Sequence, residues 1–189
     1  TATLNLDLPP GDASAAVLDP ARPLVFVDVR LADDAFEPLG KVSVAQAEVV
    51  RKLTLALLRA GMPAEEIGVI APYRAQVAAI RQRLAQAGET QVTVDTVDRF
   101  QGAERRVILL SFGGTPAAGT RRGGHDFLAD ARRLNVALTR AQRKLILVGN
   151  RVRLDSAPLL RDLIRHCEGL YGGRGGVFTT TSRQDALAR

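Results

Sequence analysis

The sequence is poor in the residues that most directly declare a chemistry. It has one cysteine, Cys167, so no disulfide can close within the chain. With only His125 and His166 beside it, that thiol has no metal-binding spacing. HExxH, GxSxG and CxxC are all missing. Phosphate-cradling loops are missing too. Gly40-Lys41 is followed by Val42, and Ala35 stands where GxxxxGK[ST] needs its first glycine. No GxGxxG follows the first apolar run. The chain by itself carries no metal or nucleotide site of familiar form, so an enzymatic role needs a site completed by something else. No apolar run reaches the ~18 residues of a membrane span, and no signal peptide opens the chain. An intracellular, cytoplasmic protein with no membrane partner is expected, and association with a nucleoid is compatible. The chain starts without Met, which points to a piece of a longer protein.

Lysine is scarce as well. Lys41, Lys52 and Lys144 are the only lysines among 26 basic residues, and the rest are arginine. Arginine grips phosphate with a planar fork, where lysine offers a point charge. Basic residues outnumber 20 acidic ones, for a net charge of +6. That balance is compatible with nucleic acid or nucleotide as partner, and equally with plain solubility.

What is present is a core. Apolar residues make up 46% of 189, enough for one folded domain. Short β-branched runs at 23–29, 66–72, 91–97, 106–112 and 144–150 predict strands buried on both faces. Helices are expected at 41–61, 74–88, 130–142 and 156–169. Ser43 with Gln46 fits a capping box for the first of these, and Gly61 its stop. Strands alternating with helices argue for an α/β protein with a parallel sheet covered on both faces. Residues 1–23 read as a lead-in segment, 24–168 as the domain, and 169–189 as a flexible Gly-rich tail. "GGRGG" in that tail resembles RNA-binding RGG segments, and 113–126 is a second Gly-rich stretch, with Arg121 and Arg122.

Ligands of such sheets sit beyond the carboxyl ends of the strands, and three polar clusters follow strands. "APYRAQ" (71–76) opens a helix whose free N–H groups attract anions, with Tyr73 able to stack on a base. A helix cap and a core-edge ring explain it equally. "TVDRFQGAERR" (96–106) crowds Thr96, Asp98, Arg99, Gln101, Glu104, Arg105 and Arg106 around Gly102. In 130–142, Arg133 and Arg140 are seven apart and would share a helix face. A charge near a helix C-terminus is favourable by ~1 kcal/mol or less in any case.

Together, "GVIAPYRAQ", "TVDRFQGAE" and "RRLNVALTRAQRKLILVGN" resemble motifs IV, V and VI of superfamily 1 helicases, in the branch of the nonsense-mediated-decay helicase and senataxin. The resemblance covers roughly 24–167. It implies a RecA-like domain, the second of two, with ATP between them and single-stranded DNA or RNA across both. The Walker motifs, and most of the hold on Mg2+, would then belong to the first domain. By resemblance, Arg140 is the arginine finger toward the ATP γ-phosphate, and Glu104 the carboxylate that meets the nucleotide. Gly102 and Arg133 lie on the ATP side. Pro72, Tyr73, Gln76, Thr96 and Gln101 lie toward the nucleic acid. One departure stands out. Gly113-Gly114 occupies the place of an arginine that family members often carry, and Arg121 or Arg122 are its alternatives. The expected function is the second motor domain of an ATP-dependent helicase, inactive as an isolated piece. A nucleic-acid-binding module without ATP coupling, or a degenerate RecA-like partner domain, are the other readings.

Overall fold

The computed structural model describes residues 4, 6–7, 12, 14–31, 40–100, 102–114, 130–173 and 175–182. Expectations that concern Gln101, Arg121 and Arg122 fall outside them. The elements in order are α1 (Ala15–Leu18), β1 (Leu24–Leu31), α2 (Val44–Arg59), β2 (Ile67–Ala71), α3 (Arg74–Gln86), β3 (Thr93–Thr96), β4 (Arg105–Ser111), α4 (Ala131–Leu138), β5 (Ala141–Gly149), α5 (Arg151–Leu154), α6 (Pro158–Gly169) and β6 (Val177–Ser182).

The six strands form one sheet in the order β3-β2-β4-β5-β1-β6, every pair parallel. Side chains alternate across it, as the two-residue pleat requires. Val25, Val27, Val69, Leu109, Ile146 and Val148 pack with α1, α2 and α3 on one face. Phe26, Ile70, Ile108, Leu110 and Leu147 pack with α4 and α6 on the other. Over the central strands β2, β4 and β5 both faces are dry, which is why their centres carry no polar residue.

Four expectations change. Part of the tail forms a strand: β6 adds to the sheet beside β1, in register Phe26↔Val177 through Leu31↔Ser182. Gly176 permits this, because a Cβ there would sit 1.7 Å from the Cys167 carbonyl oxygen. The lead-in also belongs to the core, with Leu4, Val17 and Leu18 buried. Arg22 clasps the two together. Its Nη1 donates to Gly175 O at 3.3 Å, and its guanidinium lies 5.5 Å from the Phe178 ring centroid.

The capping box is half formed. Ser43 Oγ accepts from Gln46 N at 3.2 Å, but Gln46 does not return the bond; Ser43 N donates to Gln76 Oε1 instead, at 2.8 Å. Finally, α4 stops at Leu138 rather than at 142. Thr139 Oγ1 donates to Asn135 O and Val136 O, which takes up the carbonyls at the helix end. Residues from Ala141 on are drawn into β5, opposite Arg105. Arg140 therefore sits at a helix–strand junction, and its helical face in common with Arg133 is lost.

Candidate functional site

The polar clusters separate onto the two ends of the sheet. Ala71 and Thr96 close β2 and β3 at the carboxyl end and pair with each other. Arg105 and Ala141 open β4 and β5 at the amino end and pair with each other. Strand rise puts about 20 Å between these two ends.

At the carboxyl end, Pro72 is buried and Tyr73 half-buried. Tyr73 is the N-cap of α3, and its side chain makes no capping bond. Thr96 turns the chain, with its carbonyl accepting from Arg99 N and Phe100 N, both at 3.1 Å. Gln76, expected at the strand-binding surface with Pro72, is wholly buried instead, at 0% exposure. The reason is hydrogen bonding. Gln76 Oε1 accepts from Ser43 N, and Nε2 donates to Ser43 O at 3.1 Å and Ser111 Oγ at 3.1 Å. Gln46 mirrors it. Its Nε2 donates to Gly113 O at 2.9 Å, and its Oε1 accepts from Gly113 N at 2.9 Å and Ser111 Oγ at 3.2 Å. Each glutamine amide thus pairs with a backbone N–H and C=O, and the Ser111 hydroxyl joins the two. The sequence gives little sign of this, since a polar residue in a helix reads as surface until its partners are known.

At the amino end everything is more open. Glu104 is exposed, and Gln142 Nε2 donates to its Oε2 at 3.3 Å. Arg105 N donates to Arg140 O at 3.0 Å, so Glu104 and Arg140 flank a single backbone hydrogen bond. The Arg140 guanidinium folds back on α4: Nε donates to Val136 O at 3.0 Å and Nη2 to Thr139 Oγ1 at 3.1 Å. The backbone brings two residues 36 apart in the chain to one end of the sheet, while their side chains turn to different partners, Glu104 to Gln142 and Arg140 to α4. Gly102, with φ +83°, is exposed on the turn that leads to them.

Between the two ends, Arg133 grips Asp98. Its Nη2 and Nε donate to the two carboxylate oxygens at 2.5 and 3.2 Å. Arg133 is thereby tied to the β3–β4 connection.

Lys144 was not anticipated. It is 1% exposed in β5, and its Nζ donates to Asp19 O at 2.9 Å and Arg22 O at 2.5 Å. Burial pulls its pKa down to about 8 against the partial help of Asp19. It fastens the lead-in turn to β5, the strand that begins at Ala141. Burial also pushes the Cys167 thiol up to about 11, which leaves it protonated and inert. Among the described residues, no group of three or more His, Cys, Asp or Glu could hold a metal ion, and no helix is long and apolar enough to cross a membrane.

Comparison with known proteins agrees with the motif resemblance. Residues 4–152 match the family model described as "AAA domain". The chain is 39% identical over 153 residues to the DNA replication ATP-dependent helicase/nuclease DNA2 of Bos taurus, and 41% over 154 residues to that of Mus musculus. Both alignments cover 80% of this chain and 14% of the relative. It is 36% identical over 155 residues to the Regulator of nonsense transcripts 1 homolog of Arabidopsis thaliana, covering 78% of this chain and 12% of the relative. The chain thus spans about one seventh of the curated relatives it matches. The parallel sheet with helices on both faces is the RecA-like α/β fold of a superfamily 1 helicase domain.

Proposed function

Because the chain belongs to the AAA domain family, we propose that it is the second motor domain of an ATP-dependent helicase or translocase acting on single-stranded DNA or RNA. The observation that carries this is the position of Glu104 and Arg140 at the amino ends of β4 and β5, where Arg105 N, next to Glu104, donates to Arg140 O at 3.0 Å. A pure strand binder has no use for a carboxylate and an arginine at one end of the sheet, remote from its stacking aromatic. A nucleotide held by a first domain of the same protein supplies the use. Its ribose hydroxyls suit Glu104, and its γ-phosphate suits Arg140.

Phosphoryl transfer spreads negative charge over the γ-oxygens, and an arginine supplied from a facing domain is worth ~10³–10⁵ in rate in nucleotide hydrolases. Here Arg140 has first to leave Val136 O and Thr139 Oγ1. Both contacts are partly solvated, and a hydrogen bond of this kind is worth only ~1 kcal/mol net. The charge that develops on the transferred group outweighs them. Magnesium belongs with the other domain in this reading, and no step on this chain depends on it.

The carboxyl end, with Tyr73 and Thr96, faces the single strand. ATP favours closure of the two domains, and hydrolysis releases it. The strand contacts then move with the domain. The test is nucleic-acid-stimulated ATP turnover by the full-length protein. We expect collapse in Arg140→Ala with strand binding retained. Turnover near the parental rate in that variant sinks the reading. Steady ATP turnover by the 189-residue chain alone would sink it too, since no P-loop is present.

A further inference from the structure

The segment that enters α2 is held with more care than a loop needs. Gln76 pairs with both backbone groups of Ser43. On the other side, Gly113 and Gly114 lie against residues 40–42. A Cβ at Gly114 would stand 2.1 Å from Gly40 O and 2.8 Å from Val42 O, and one at Gly113 would stand 2.8 Å from Lys41 O. Gln46 fixes Gly113 in turn, through its N–H and C=O. The backbone of Lys41 is therefore clamped from two directions, by groups that carry no charge.

What the clamp presents is an exposed lysine. The Lys41 Nζ lies 5.6 Å from the centroid of the Tyr73 ring. None of the ion pairs among the described residues includes Lys41. An exposed cation beside a half-buried ring gains only ~0.5–1 kcal/mol, which does not call for a buried network to arrange it. A cation and an aromatic face held together at the carboxyl end of the sheet do suit a nucleotide unit of a single strand, with the base toward the ring and the phosphate toward the ammonium.

We propose that Lys41 is a phosphate-contacting residue for single-stranded nucleic acid, held next to Tyr73 by the paired glutamines Gln46 and Gln76. This rests on the strand-binding reading of that end of the sheet. The phosphate is that of the strand and not of ATP, because Lys41 lies at the end away from Glu104 and Arg140.

The test is equilibrium binding of a fluorescent oligonucleotide by the full-length protein without nucleotide, from 0.1 to 1 M salt. One lost contact should lower the slope of log K against log salt by about 0.7. Lys41→Gln should therefore bind about fivefold more weakly than the parent at 0.1 M salt and about equally at 1 M. Lys41→Arg should keep the parental slope. Parental slope and affinity in Lys41→Gln, with Tyr73→Ala weakened, would overturn the role of Lys41 and leave the strand site standing. If the unsubstituted protein binds no single strand, the strand-binding reading itself fails, and Lys41 with it. A Lys41→Gln protein that binds a fluorescent ATP analogue more weakly, with an unchanged slope for the strand, would assign the ammonium to the nucleotide and overturn the proposal.

Discussion

The two ends of the sheet are built on opposite principles. At the carboxyl end, two buried glutamines, a serine and two glycines close a neutral network in which every amide is paired. At the amino end, Glu104 is exposed and Arg140 half-buried, the first held by one side-chain hydrogen bond of 3.3 Å and the second by two of 3.0–3.1 Å. A buried, satisfied network is rigid because any opening orphans several groups at once. Charged side chains held by a few partly solvated contacts are cheap to rearrange, since water replaces each contact they give up. The difference suits one end for holding a partner in fixed register. It suits the other for reaching toward a group that arrives and departs.

The largest expected effect tests the loose end. In the full-length protein, Arg140→Ala should lower nucleic-acid-stimulated turnover by ~10³-fold, about 4 kcal/mol of barrier. Arg140→Lys should fail similarly, since an ammonium cannot reproduce the guanidinium fork. Melting temperature should hardly move, because a helix-end charge contributes ~1 kcal/mol or less. A large drop in Tm for Arg140→Ala would erase the contrast between the ends.

The tight end should respond the other way. Gln46→Ala removes the partner of Gly113 N and Gly113 O and the acceptor of the Ser111 hydroxyl, whose oxygen keeps its bond from Gln76. Buried orphans cost ~1–3 kcal/mol each. Partial relaxation leaves a loss of about 3 kcal/mol, near 10 °C in Tm. Thermal melts of the chain would read it, and a Tm within a degree or two of the parent would show that the network is dispensable.

Tyr73→Ala should weaken single-strand binding by ~2 kcal/mol if its ring stacks on a base, with turnover at saturating strand largely kept. An unchanged Kd would return Tyr73 to the edge of the core.

The smallest effect concerns Lys144, whose folded-state pKa near 8 lies below the ordinary 10.5. The folded chain loses this proton before the unfolded one does. Its contribution to stability therefore rises with pH between about 8 and 10.5, by about 1 kcal/mol from pH 7 to 9. Denaturant midpoints of the parent measured against Lys144→Met should drift in the parent's favour over that range. A drift toward Lys144→Met would reverse the sign.

Much of this was legible beforehand. The five predicted strands are real because each is rich in β-branched or aliphatic residues; β2, β4 and β5 have wholly apolar centres under two covered faces, while β3 at the sheet edge carries Asp95. Motif spacing marked Arg140, Glu104, Tyr73 and Thr96 for attention. Where the sequence misled, a partner distant in the chain was responsible. Gln76 reads as surface and is buried because Ser43 and Ser111 satisfy it. The helix through Arg140 reads as continuing and stops because Arg105 pairs with Ala141. The tail reads as flexible, since glycines precede Val177 and three threonines follow Phe178, yet β1 offers it an edge.

Local pattern determined the elements and their alternation, because apolar period and β-branching act within a few residues. Only the tertiary structure decided which polar residues face water and at which end of the sheet they stand. Hydrogen bonds join groups by position in space, and a parallel sheet sends neighbours in sequence to opposite ends while bringing Glu104 beside Arg140.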